Sequence, residues 1–273
     1  MIGKPINIAM KTIPLFIGLL VATLSPIPSA GAKTKAEPAT STEAAYDQAL
    51  LSAVASLADA YLLQTRHTLE VLAQTAEAQT GKWERMERLV KASVPPTLPE
   101  VLWFVQPDGT YYTSAEGLTD QKLSDRTYFP GLIAGETVCG DLVVSKSTGK
   151  KSVIIAVPVK NGERVIGGLG ASIFVDDLSQ LLKDRLKLPA GSLFYALTPD
   201  GVTAFHIDPK LDFVDPRQMQ SPTLGDAVGT MLGRTSGEVS YEFNGLPRRV
   251  YFKTSTLTGW RVVYGRVLPK ARE

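Results

Sequence analysis

The sequence is poor in the residue types that build reactive centres. Its 273 residues contain one cysteine and two histidines. One cysteine cannot close an intramolecular disulfide, so an exported chain carrying it must fold by packing alone. Cys139, between Val138 and Gly140, reads as a small buried hydrophobe rather than a reactive thiol. His67 and His206 lie far apart with no cysteine cluster beside them, so a histidine-based metal site has no support. A G-x-S-x-G nucleophile turn and a G-x-x-x-x-G-K-[ST] phosphate loop are both missing. His206 and Asp208 sit in His-Ile-Asp-Pro, which reads as a strand end. Pairing Cys139 with His206 as nucleophile and base has no local support. We therefore expect no catalytic residue, no metal and no cofactor. A one-sided charge is lacking as well: 29 basic and 27 acidic residues leave a net +2. Basic residues gather no further than pairs such as Arg248-Arg249, which argues against nucleic acid as a partner.

What is present is an ordinary globular composition behind an export-like leader. Hydrophobic residues make up 44% of the chain and charged ones 21%, enough apolar content for a packed core. Lys4 and Lys11 precede an apolar stretch from Thr12 to Leu24, and Ala30-Gly31-Ala32 then supplies a small-residue cleavage site. Residues 1–32 are read as a signal peptide cleaved near Ala32, giving a periplasmic or secreted protein. The apolar stretch is shorter than the roughly 20 residues that span a bilayer comfortably. An uncleaved N-terminal anchor is the alternative. Beyond Val267 only Leu-Pro-Lys-Ala-Arg-Glu follows, and no second hydrophobic span or output module is expected.

Periodicity divides the remainder. Residues 33–40 are polar and read as a linker, and 41–97 as a helical segment. Thr40-x-x-Glu43 forms a capping box. Behind it Leu51, Ala55, Ala58, Leu62, Thr65, Leu69, Leu72 and Ala76 recur at alternating steps of four and three, one face of a long helix. Gly81 is a plausible stop, and a short helix is expected from Trp83 to Lys91 before Pro95-Pro96. From Val101 the period becomes that of strands, with Pro107-Asp108-Gly109 as a turn and Asn161-Gly162 as a hairpin signal. Strands are expected over 101–105, 110–113, 152–159, 164–175, 192–198, 238–243, 248–254 and 260–267, with an amphipathic helix opening at Asp176. Gly167-Gly168-x-Gly170 falls inside a strand and reads as tight sheet packing, not as a dinucleotide fingerprint. Strands and helices mix without βαβ alternation, so the expected class is α+β with antiparallel sheets. Phe104-Val105-Gln106-Pro107-Asp108-Gly109 returns as Tyr195-Ala196-Leu197-Thr198-Pro199-Asp200-Gly201, with one residue inserted before the turn. Two copies of one sheet unit are the economical reading.

One ordered set of motifs is more specific. Leu123-Ser124-Asp125-Arg126-Thr127-Tyr128-Phe129 is followed by Ala134-Gly135, by Val144-Ser145-Lys146-Ser147-Thr148-Gly149 and by an apolar strand ending in Pro158. Gly167 to Ile173 then leads to Asp176-Asp177-Leu178. Pro199-Asp200-Gly201, Ser236-Gly237-Glu238-Val239, Asn244-Gly245 and Thr258-Gly259-Trp260 mark the second half. Taken in order, these resemble the Cache family of extracellular sensor domains in its double-Cache form, over roughly residues 43 to 267. The resemblance implies a long N-terminal helix followed by two PAS-like antiparallel units. These would be a distal one at 98–186 with the ligand pocket and a proximal one at 187–268, leaving 269–273 as a tail. It implies a non-catalytic small-molecule sensor that signals through a partner such as a membrane histidine kinase or chemoreceptor. The other readings are an interaction module without a ligand of its own and, less consistent with the motifs, a dispersed-site hydrolase.

The resemblance also names pocket residues. Arg126 would hold a ligand carboxylate through its guanidinium fork, with Tyr128 and Phe129 as walls. The two positions that are acidic in amino-acid binders of the family align with Ser145 and Ser172. A hydroxyl lacks the charge that favours an ammonium, so a small carboxylate without a charged amine is expected. Against this stands a structural role for Arg126, paired with Asp125 or the backbone. Trp103, Tyr111 and Tyr112 read as core or sheet-face aromatics.

Overall fold

The computed structural model describes residues 40–269; the signal-peptide reading and most of the linker lie outside them. The first element is α1, Ser41–Ala73. It starts where the Thr40 side chain accepts the Glu43 N–H at 3.3 Å, the capping contact that Thr40-x-x-Glu43 predicts. Its buried face carries Leu51, Val54, Ala55, Ala58, Leu62, Leu69 and Leu72, so an apolar stripe runs most of its length. A short turn closed by Gly81 at φ 67° leads into α2, Trp83–Ala92.

Two antiparallel sheets follow. The first contains β1 (Glu100–Val105), β2 (Thr110–Thr113), β3 (Gly117–Lys122), β4 (Val138–Val144), β5 (Lys151–Asn161) and β6 (Arg164–Phe174). Their order is β3-β2-β1-β6-β5-β4. The second contains β7 (Ser192–Leu197), β8 (Thr203–His206), β9 (Ser236–Phe243), β10 (Leu246–Thr254) and β11 (Arg261–Val267), in the order β8-β7-β11-β10-β9. Without β3 the two orders are the same. Helix α3 (Phe129–Ala134) lies between β3 and β4, α4 (Val175–Leu186) between the sheets, and α5 (Pro222–Leu232) between β8 and β9. The whole is an α+β fold of one long helix and two like sheets.

Both faces of each sheet are covered, which explains the unbroken apolar runs. On one face of the first sheet Leu102, Phe104, Val153, Ile155 and Leu169 join the cluster built on α1; from the second sheet Phe194, Ala196, Val262 and Tyr264 join the same cluster. On the opposite faces, Trp103, Val105, Tyr111 and Ile154 pack with Leu132 of α3, and Leu193, Tyr195, Val250 and Val263 pack with Val228 and Met231 of α5. The alternation has the two-residue period of a strand. One helix therefore supplies a shared inner layer, and α3 and α5 cap the two outer faces.

The internal repeat holds, but without the inserted residue. β1 runs Glu100–Val105 and β7 runs Ser192–Leu197, a constant offset. The turns match bond for bond: Gly109 N–H donates to Gln106 O and Gly201 N–H to Thr198 O, each at 2.9 Å. Trp103 thus corresponds to Tyr195, not Phe104 to Tyr195. A one-residue slip would put the matched side chains on opposite faces, whereas Trp103 and Tyr195 both face the outer layer.

The glycines of β6 pack as the sequence predicts. A Cβ on Gly167 would sit 2.5 Å from Val105 O, and one on Gly170 would sit 2.2 Å from the Trp103 ring. The sequence does not predict β3, β4, α3 or α5, and it marks β8 only by the strand end at His206. Among the described residues no helix is long and apolar enough to cross a membrane.

Candidate ligand-binding cavity

The outer face of the first sheet encloses a small cavity under the segment that joins β3 to α3. The chain folds tightly there: Arg126 N–H donates to Leu123 O and Phe129 N–H to Arg126 O, both at 3.0 Å. Pro130 then sits in the first turn of α3, where its missing N–H costs nothing. This places Arg126 and Tyr128 over the sheet. Ser145 comes from the turn after β4 and Ser172 from β6. All four line the cavity with Trp103 and Tyr111. Phe129 is buried in the same apolar cluster but is not among the lining residues.

Arg126 has no ion-pair partner among the described residues. Asp125 instead accepts from Lys146 Nζ at 2.6 Å, so the expected alternative of an Asp125–Arg126 pair is not found. The Arg126 guanidinium donates through Nη2 to Val144 O at 2.7 Å, which is a backbone contact. Its Nε is buried with no hydrogen-bond partner, and so is the Tyr111 hydroxyl. A buried donor left unpaired costs about 1–3 kcal/mol, so both groups gain from an acceptor in the cavity. Among the described residues no aspartate or glutamate lines it.

The Ser145 hydroxyl is held by its own turn. Ser145 Oγ accepts from Thr148 N–H at 3.3 Å and lies 3.4 Å from Ser147 Oγ. Burial raises the Tyr128 phenol well above its usual range, so it stays a neutral donor. The Trp103 ring stacks on Tyr128 at 6.3 Å and fills the floor above Gly170. The remaining volume is ≈ 20 Å³, room for little more than one water.

The sequence predicts Trp103 and Tyr111 as core or sheet-face aromatics. They are core, and they are also cavity wall. The signal was their alternation with Tyr112, which faces the opposite side and stacks on Trp83 at 5.4 Å. Cys139 is free and half-buried, and burial pushes its thiol up to about 11. His67 is exposed on α1.

Comparison with known proteins agrees with this architecture. The chain is 27% identical over 128 residues to the methyl-accepting chemotaxis protein McpB of Bacillus subtilis (strain 168), a match covering 47% of this chain and 18% of that one. An extracellular ligand binding receptor from Desulfohalobium retbaense DSM5692 shares the fold at a TM-score of 0.65 and 14% identity, over 81% of this chain and 40% of the other. The chain thus spans well under half the length of both. The ligand-binding domain of the Pseudomonas aeruginosa PAO1 amino acid chemoreceptor PctB, solved with L-Arg, matches at a TM-score of 0.62 and 18% identity, over 83% and 94%. At such identities the solved structures speak for the fold alone. A family model described as Cache domain matches residues 35–268, and with that match over most of its length the chain belongs to the Cache domain family.

Proposed function

We propose that this protein is a small-molecule-binding sensory module, exported to the periplasm or beyond, that passes its signal to a partner such as a membrane histidine kinase or chemoreceptor. Residues 98–186 are the distal, ligand-binding unit and 187–268 the proximal one. The ligand is a small organic anion whose carboxylate meets Arg126. Tyr128 and Tyr111 offer hydroxyls, Ser145 and Ser172 close the polar side, and Phe129 supports the wall from behind.

One observation carries the reading. Arg126 brings a cation with no ion-pair partner among the described residues to a cavity that no carboxylate lines. An ammonium would meet only hydroxyls there, while an anion meets a guanidinium and an unpaired phenol. An amino acid therefore fits less well than a carboxylate without an amine, even though a structural relative was solved with L-Arg.

The cavity's ≈ 20 Å³ favours a second reading, an interaction module for a membrane kinase or receptor that needs no ligand of its own. A thermal-shift screen of organic acids, amines and amino acids separates the two. A ligand at 100 times its Kd adds about 2.7 kcal/mol. Stabilisation by carboxylates lacking an amine is the expected result. Stabilisation by amino acids alone would overturn the anion assignment, and no stabilisation by any class would favour the second reading.

A further inference from the structure

The second sheet repeats the first, and it repeats the cavity too. On its outer face Tyr195, the counterpart of Trp103, borders a cavity of ≈ 30 Å³ together with His206, Tyr241, Arg248 and Thr203, room for about two waters. The apolar part of its wall includes Met219, Leu224 and Phe243.

Among the described residues none of its polar groups is negatively charged. His206 is buried, and its Nδ1 accepts the Asp208 backbone N–H at 2.8 Å. Burial pushes the imidazole down to about 4, so the ring is neutral and its one proton sits on Nε2. Stacking on Tyr195 at 5.5 Å fixes the ring's plane. The Arg248 guanidinium lies 4.7 Å from the centre of the Phe243 ring, and its Nε is buried without a hydrogen-bond partner. Arg248 has no ion pair among the described residues; its neighbour Arg249 takes Glu43. The hydroxyls of Tyr195 and Tyr241 meet at 3.3 Å. No aspartate or glutamate among the described residues lines the cavity. A guanidinium without a counter-ion, an imidazole N–H and apolar walls form a niche that an anion with a small apolar body completes.

We propose that this proximal cavity is a second binding site, for a short-chain carboxylate whose head meets Arg248 and the His206 Nε2–H and whose tail lies against Leu224 and Met219. Met219 is unbranched and can shift to admit the tail. The site uses none of the groups assigned to the Arg126 cavity, so either can fail without the other.

With two histidines in the chain, one of them exposed, the imidazole signals of His206 can be followed directly by NMR, with His67 as the internal control. Sodium acetate and sodium propionate would be titrated against sodium chloride at equal ionic strength. A saturable shift of the His206 signals, with His67 unmoved, is expected in the wild type and in Arg126→Ala. In Arg248→Gln the affinity should fall about tenfold or more, as for loss of a charge-assisted hydrogen bond. If Arg248→Gln does not fold, Arg248→Lys keeps the charge and should still lose affinity, because an ammonium lacks the fork. No saturable shift, an equal shift with chloride, a shift untouched by both Arg248 variants, or one abolished by Arg126→Ala would each overturn the proposal.

Discussion

The Thr65 hydroxyl donates a 2.9 Å hydrogen bond to Glu100 Oε2, joining the C-terminal part of α1 to the first residue of β1. Glu100 is buried, and burial raises its carboxyl to about 7, partly offset by the Thr65 bond. The folded state therefore holds a proton that the unfolded chain releases near the ordinary glutamate value. Stability from this group is full below about pH 4.5 and is lost as pH rises through about 7. Relative to Glu100→Gln, the wild type should lose about 1–3 kcal/mol across that window. Urea unfolding of both proteins at pH 4.5 and pH 8 measures the difference; a constant gap would contradict it.

Asp47 anchors the other end of the helix. It is 1% exposed and accepts from Arg266 Nη2 at 2.6 Å and Nε at 2.8 Å, linking α1 to the last strand. Asp47→Ala leaves a partly solvated guanidinium with only the looser Glu43 contact, Nη1 to Oε1 at 3.7 Å. A loss of about 2–4 kcal/mol is expected, toward the lower end for a broken buried pair. Chemical denaturation gives the value, and a change under 0.5 kcal/mol, the usual surface range, would refute it.

The Trp103 ring occupies the space a Gly170 side chain would need. Gly170→Ala should cost about 1–3 kcal/mol by overpacking. Trp103→Leu in the same chain should recover part of that, a coupling of about 0.5–3 kcal/mol for residues in contact. Strict additivity in the double-mutant cycle would show that the ring does not set the glycine.

For Arg126→Ala, binding of the best carboxylate from the screen should weaken by about 2–5 kcal/mol. The unliganded protein should lose much less, because among the described residues the Arg126 side chain gives up one hydrogen bond, to Val144 O. Arg126→Lys should also bind poorly. Calorimetry with and without the ligand tests the pair of expectations. Unchanged affinity in a destabilised variant would make Arg126 structural.

The Cys139 thiol, raised to about 11 by burial, should stay protonated at neutral pH and resist alkylation. Iodoacetamide labelling of the native protein at pH 8 should be slow beside that of the urea-unfolded chain. Equal rates would contradict the raised thiol.

Much of this protein was legible along the chain because it rests on local periodicity. The α1 stripe, the Thr40 cap, the two Pro-Asp-Gly turns and the β6 glycines are each determined by a few consecutive residues and short-range sterics. β3 was hidden because it is a polar edge strand, with Leu118 its exposed exception. β4 was hidden because the bulge at Gly140, φ 98°, interrupts its alternation. Gly225 and Gly229 weaken the helical signature of α5. Tertiary structure alone decided the rest. It set the repeat in register by putting Trp103 and Tyr195 on like faces, gave Asp125 to Lys146 rather than Arg126, and brought Arg126, Ser145 and Ser172 from three separate elements to one cavity. It also left Arg248 and His206 together in another. Those relationships depend on which strands pair across tens of residues and on how far side chains fill the space between layers, and neither is encoded in any single stretch of the chain.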